Sequence, residues 1–388
     1  MSLLKLPSFA LLSFAFFSVL MTPTSMAQEP KPLRIATLNA ALNRKQAGDL
    51  VADLNRGDEQ ARKIAQIIQK ISPDILLVNE LDCDANGPEL FLEKYLNTPS
   101  NTRPWKFFYT ASVNTGVDSQ LDLDGNGKLH EPNDAWGFGT FPGQYGMAIY
   151  SRYPIELDAV RTFQNFLWSE MPNALQPPDY YPENIWKKLR LSSKSHWDVP
   201  VRIENQTIHI LASHPTPPVF DGPEDRNGRR NHDEVRLFLD YISNPADSHY
   251  IVDDQGRRGG LPENAHFAIL GDLNADPVDG DGQSDAIRKL LSHPRVAQYP
   301  TPTSTGAVQA AESSGGANAK QKGNPAHDTG DFNDKNPGNL RIDYVLPSAT
   351  LRVVDQGVYW PSSSQSKEEN ELVQASDHRL VWVDVLWK

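Results

Sequence analysis

Six signals in the chain set polar residues at the start or end of a short apolar run: Asn39, Glu80, His214, Asp272 with Asn274, Asp343, and Asp377 with His378. A single polar residue in such a place is ordinarily a cap or a turn. Six signals drawn only from Asn, Asp, Glu and His amount to more. They offer oxygen ligands for a hard metal ion, carboxylates to handle a water molecule and imidazoles to meet a phosphate, which is the equipment of a metal-assisted phosphoesterase.

The runs behind these residues are the elements that must position them. Leu33 to Leu38 is β-type and ends at Asn39. Asp58 to Ile71 carries Ala61, Ile64, Ile67, Ile68 and Ile71, the spacing of a helix with one apolar stripe. Ser72-Pro73-Asp74 stops it, and Ile75-Leu76-Leu77-Val78 follows as a buried strand ending at Asn79-Glu80. Gly146 to Tyr150 reads as another strand, and Val199 to Ser213 as a hairpin turning at Glu204-Asn205-Gln206 before His214. Val235, Phe238, Leu239 and Ile242 mark a second amphipathic helix, and Phe267 to Leu270 a strand stopping at Gly271-Asp272. Arg341 to Leu346 and Arg379 to Val385 are the last strands, and the alternation predicts an α/β protein.

The ends and composition narrow the setting. Lys5, an apolar run from Leu11 to Met21 and the small-x-small triplet Ser25-Met26-Ala27 predict a signal peptide over residues 1–27, hence export to a periplasmic or extracellular space. The run is shorter than the roughly 20 residues needed to span a bilayer, so no transmembrane segment is expected. Cys83 is the only cysteine, which excludes an intrachain disulfide. A net charge of −12 argues against a broad basic face for holding polyanions and suits cation binding. No protein partner is indicated. One domain over 33–388 is expected, interrupted by polar, Pro- and Gly-rich insertions at about 110–142, 165–198, 215–231 and 300–339, the last reading as a mobile surface loop.

Six stretches, in order, carry a resemblance: Arg34-Ile35-Ala36-Thr37-Leu38-Asn39, Asp74-Ile75-Leu76-Leu77-Val78-Asn79-Glu80, Tyr145-Gly146-Met147-Ala148-Ile149-Tyr150-Ser151-Arg152-Tyr153-Pro154, Gly271-Asp272-Leu273-Asn274, Arg341-Ile342-Asp343-Tyr344-Val345 and Ser376-Asp377-His378-Arg379. Together they resemble the ordered motifs of the endonuclease/exonuclease/phosphatase superfamily, the deoxyribonuclease I-like group. The resemblance implies a four-layer α/β/β/α sandwich, two mixed β-sheets face to face with helices outside. It implies Glu80 as the principal Mg²⁺ (or Mn²⁺) ligand, with Asn39 and Asp377 completing the metal region. Asp272 would orient or deprotonate the attacking water, and Asn274 would donate to the phosphoryl oxygens. His378, held by Asp343, would meet the phosphate as a cation, and His214 would either make a second phosphate contact or protonate the leaving oxygen. Two departures stand out: Ala41 replaces the acidic residue that some nuclease branches place there, and Ala212-Ser213-His214-Pro215-Thr216 differs from the Thr-His-Leu-like form.

Three further signals have competing readings. Asp122, Asp124 and Asn126, with Gly125 and Gly127, resemble the start of a Ca²⁺ loop, but Asn133 stands where the bidentate Glu belongs; the alternative is an acidic turn-rich loop. Arg226, Arg229, Arg230, His232 and Arg236 form a basic island that either meets substrate phosphate, with Arg229, Arg230 and His232 the candidates, or pairs with Glu224, Asp225, Asp233 and Glu234. Trp136, Trp168, Trp186 and Trp197 either line a cleft or pack. The function expected is an exported, metal-dependent phosphoesterase acting on a small phosphoester or lipid headgroup. A secreted nonspecific nuclease, in which nucleic acid is the partner, and a catalytically inactive binding module on the same fold are the alternatives.

Overall fold

The computed structural model describes residues 1–2, 31–365 and 367–388; apart from its first two residues, the expected leader lies outside them. Residues Pro32–Lys388 form one compact unit. Among the described residues no helix is long and apolar enough to cross a membrane.

Apart from the half-buried edge strand Phe107–Tyr109, each strand of the first sheet is a run that buries one face or both. The strands are β1 (Leu33–Leu42), β2 (Ile75–Leu81), β3 (Phe107–Tyr109) and β4 (Met147–Ser151). Next come β5 (Arg161–Thr162), β6 (His196–Ile203), β7 (Gln206–Ser213) and β8 (His266–Asp272). A short hairpin, β9 (Gly330–Asp331) and β10 (Asn339–Leu340), precedes β11 (Asp343–Pro347), β12 (Leu351–Val358) and β13 (Val381–Trp387). The sheets have the orders β12-β13-β1-β2-β4-β3 and β11-β8-β7-β6-β5. In each, one parallel pair, β1 with β2 or β7 with β8, sits among antiparallel neighbours.

Alternation along the strands makes the four layers. On β1, Leu33 and Ile35 join a core shared with Val199, Ile210 and Leu270 of the second sheet, while Ala36, Leu38 and Ala40 face the Glu59–Ile71 helix. On β8, Ala268 and Leu270 point to the shared core, while Phe267 and Ile269 pack under the Arg226–Ile242 and Asp285–Leu291 helices. Because successive side chains point to opposite faces, a strand between two apolar layers must be apolar throughout, which is why these runs show no polar alternation. The Glu59–Ile71 helix starts where the Asp58 side chain accepts from the Ala61 N–H and ends at Ser72 in a left-handed conformation.

The segment 300–339 departs from its reading as a mobile loop. Ser304 caps a helix, Thr305–Ser314, and Thr329 is buried against β11. The edge strand β12 also escapes the sequence reading, because Arg352, Asp355 and Gln356 face outward and break the apolar run.

Candidate active site

β1, β2, β7 and β8 end at the same rim, and their terminal side chains converge. Gly271 permits this: a Cβ there would lie 2.1 Å from the Ser213 carbonyl, so only glycine lets the end of β8 approach the end of β7 and set Asp272 beside His214. Asn79 stitches the two sheets at this point, accepting from the Asp272 N–H at 3.1 Å and donating to the Ser213 carbonyl at 3.5 Å. Three residues at these ends, Ala41, Glu80 and Asn274, have φ of 49°, 54° and 49°, the left-handed region that non-glycine residues seldom occupy.

The Asn39 amide is the hub. Its Nδ2 lies 3.0 Å from Glu80 Oε1, 3.1 Å from Asp272 Oδ2 and 3.4 Å from His378 Nε2, and its Oδ1 accepts from the Ala41 N–H. His214 Nε2 stands 3.4 Å from Asp272 Oδ2 and 4.0 Å from Glu80 Oε1. His378 Nε2 stands 3.6 Å from the same Asp272 oxygen, and its Nδ1 is 2.9 Å from Asp343 Oδ2. Thr329 Oγ1 donates to Asp343 Oδ2 and accepts the Asp343 N–H, which fixes the carboxylate that orients the imidazole. Ser376 ties the two strands of the rim, donating to the Asn39 carbonyl and accepting from the His378 N–H.

The two histidines are driven to opposite charge states. Burial disfavours the imidazolium of His378, but Asp343 and Asp272 outweigh it and hold the pKa well above the ordinary histidine value. His214 moves the other way: burial and the nearby Lys194 charge push it down, against the pull of Asp272 and Glu80. Burial would raise Asp272, yet His378, His214 and Asn39 keep it well below the usual carboxylate range. Burial pushes the Asp343 carboxyl up, against the opposing pull of the neighbouring His378.

Sequence reasoning missed the devices that hold this arrangement from the side. Glu234, fully buried on the Arg226–Ile242 helix, accepts from the Ser193 N–H and the Thr216 N–H, each at 2.6 Å. One turn earlier, Asn231 donates to the carbonyls of Thr216, Leu273 and Asn274. Together they clamp the segments that carry His214, Asn274 and Lys194. Lys194 is buried, and its carbonyl accepts from the Asn114 N–H, but its ammonium makes no hydrogen bond or ion pair among the described residues; the side chain lines a cavity of about 590 Å³ together with Glu80 and His214. Nothing in Ser192-Ser193-Lys194-Ser195 marks that lysine, since it lies in an irregular segment with no periodicity.

Other expected residues fall differently. Asn274 donates its Nδ2 to the Pro215 carbonyl at 3.1 Å, so its amide braces the rim. Asp377 is exposed; its carbonyl accepts from the Asp331 N–H, and its side chain makes no hydrogen bond or ion pair among the described residues. The basic island is largely consumed by structure. Arg230 lines the cavity but spends its donors on the carbonyls of Leu191, Trp136 and Arg190. Arg229 donates to the Glu224 carbonyl, and His232 pairs with Asp233 at 2.9 Å; neither lines the cavity. In the acidic loop the grouping is Asp122, Asp124 and Asp134, with Asn126 instead donating to Asp124 and Glu131. Its carboxylates accept from the loop's own amides. Trp168 and Trp197 are packed in the cores, and Trp186 packs on Trp168 with the ring planes tilted by 56°.

The donors fit a hard divalent cation. Glu80 presents a carboxylate that opens onto the cavity, no Lys or Arg among the described residues pairs with it within 4.0 Å, and a carboxamide and a second carboxylate stand beside it. Glu80, His214 and Asp272 form one group of mutually close ligand atoms, and Asp272, Asp343 and His378 another.

Residues 36–378 match the family model described as Endonuclease/Exonuclease/phosphatase family. Among curated proteins no sequence matches. Of solved structures, an endonuclease/exonuclease/phosphatase from Beutenbergia cavernae is 18% identical, with a TM-score of 0.52 over 92% of this chain and 72% of that one. A family protein from Leptotrichia buccalis is 16% identical, with a TM-score of 0.46 over 92% and 100%. The beta toxin of Staphylococcus aureus, solved with bound magnesium ions, is 12% identical, with a TM-score of 0.46 over 91% and 99%. The first of these shares the fold.

Proposed function

The chain belongs to the endonuclease/exonuclease/phosphatase family, and on that premise we propose that it is an exported, metal-dependent hydrolase of small phosphoesters. The observation that carries this reading is the convergence of His378 Nε2 and His214 Nε2 on one Asp272 oxygen, at 3.6 and 3.4 Å, beside a cavity that Glu80, His214 and Lys194 line. Water attacks phosphorus in line with the departing oxygen. Asp272, kept ionised, accepts a hydrogen bond from the water, orients it for attack and takes its proton as the new phosphorus–oxygen bond forms. His378 donates from Nε2 to a phosphoryl oxygen and carries positive charge to where negative charge develops. His214, kept largely neutral, acts as a hydrogen-bond donor to that oxygen rather than as a charged acid. Lys194 adds an ammonium that no carboxylate has yet claimed. Mg²⁺ or Mn²⁺ held at Glu80, with Asn39 beside it, would polarise the phosphoryl group and lower its charge.

Phosphate release from monoesters and diesters by the purified chain tests this. Activity should vanish with chelator and return with Mg²⁺ or Mn²⁺, and Glu80→Gln should blunt the metal response. No turnover of any phosphoester with any metal would leave an inert binding module. Plasmid cleavage faster than that of every small ester would make the protein a nuclease. Export predicts a mature N-terminus at Gln28, read by sequencing the protein recovered outside the cytoplasm; retention of Met1 there overturns it.

A further inference from the structure

The cavity beside the catalytic rim is walled by three of the insertions, and each of them contributes at least one aromatic ring. Phe138, Tyr180, Tyr181 and Phe220 offer rings, Phe138 and Phe220 being 58% and 86% exposed at the rim, and Leu123 and Leu189 add apolar surface. Lys194, Arg226 and Arg230 are cationic, against Glu80 and Asp124. Thr216 Oγ1 is buried without a hydrogen-bond partner, and the hydroxyls of Tyr180 and Tyr181 make no hydrogen bond among the described residues.

These walls discriminate between leaving groups. At about 590 Å³ the cavity has the size of a small-molecule site. A quaternary ammonium would seek a free aromatic face, but the Arg226 guanidinium already lies 5.0 Å over the Tyr180 ring, and the surplus of cations repels it. A long acyl chain would bury the unpartnered hydroxyls without satisfying them. A flat ring that bears hydrogen-bonding groups meets both demands, stacking on the aromatic walls while supplying partners to the hydroxyls.

We propose that this insertion-built cavity is the leaving-group pocket, and that it takes the ring of an uncharged or anionic ring-bearing alcohol of nucleoside or aryl size. The inference rests on the hydrolase reading above and names its substrate class. In the reaction the phosphorus–oxygen bond to that alcohol breaks, the bond to the water oxygen forms, and the alcohol leaves into the cavity with a proton from solvent.

The test compares kcat/KM of the full chain on uridine 5′-phosphate, benzyl phosphate, phosphocholine and methyl phosphate, and on their methyl diesters, all esters of alcohols. The ring-bearing esters should exceed methyl phosphate by at least about tenfold, as stacking of one ring predicts. The ring-to-methyl ratio should fall about tenfold in Phe220→Ala and in Phe138→Ala. Uridine ahead of benzyl identifies a nucleoside source, and the reverse an aryl source. Preference for phosphocholine, or a ring-to-methyl ratio that neither variant moves, overturns the pocket. Calorimetric binding of benzylphosphonate separates the two readings. Tight binding weakened by Phe220→Ala, with no ester hydrolysed, defeats the hydrolase and keeps the pocket; turnover of methyl phosphate with no gain for any ring does the reverse.

Discussion

The floor of the cleft and its wall are built by opposite means. On the floor, Asn39, Asp272 and Asp343 are buried on strands whose register the sheet ladders fix, and His378, just ahead of β13, is held by a bridge to Gly330 and by Asp343. On the wall, rings are exposed and hydroxyls lack partners, and the polypeptide is irregular except where Glu234 and Asn231 pin its base. Groups that must stay within a fraction of an ångström of a reacting atom belong on the rigid element, while groups that select a substrate tolerate the softer one.

That division is open to attack. Asp272→Asn and His378→Ala should each lower kcat by about 10²–10⁴-fold, the range for groups that move or place protons, and by the same factor on every ester. A loss that depended on the leaving group would break the separation of floor from wall. Lys194→Met, at the border, should cost about 10²-fold in kcat, as loss of one preorganised charged donor does; a change confined to KM would assign Lys194 to the wall alone. Glu234→Gln turns one acceptor into a donor facing a backbone N–H, and should cost about 1–3 kcal/mol of stability by chemical denaturation. Rates on methyl phosphate should fall with it, since both wall and floor hang from that carboxylate.

The smallest effect expected is one of pH. Burial pushes His196 down to about 4, against the pull of Glu234, and its ring is held between the Ser192 hydroxyl and the Glu234 carbonyl. Because the folded value lies below the unfolded value of 6.5, the unfolded chain binds the extra proton, so stability present above pH 6.5 is lost as pH falls toward 4. His378 is shifted upward and adds no loss in that window. Tm measured between pH 7 and 4 should therefore decline less in His196→Gln than in the unaltered chain; parallel curves would show that acid opens the molecule elsewhere.

The floor was legible in sequence because each of its residues interrupts an apolar run, and a strand buried on both faces leaves few other places for a polar side chain. The supports were not. Thr329 lies in a stretch whose Gly, Asn and Asp content reads as loop, and Glu234 looks like one more charge on the polar face of a helix, although it is fully buried. Lys194 carries no local pattern at all. Arg229 and Arg230 show the converse error: clustered positive charge suggests a phosphate site, whereas the hydrogen bonds these two side chains make go to backbone carbonyls.

Ala41, Glu80 and Asn274 leave their strands with left-handed backbones, a conformation that costs about 1–3 kcal/mol at a residue other than glycine and persists only where the surroundings impose it. The sheet ends thus hold a local debt against the stability of the whole fold. Variants selected for heat tolerance alone would tend to gain glycine at these positions, relaxing the turn that aims Glu80 into the cavity. A library screened for thermal survival would then drift away from function, and one screened for turnover at moderate temperature would keep the strain.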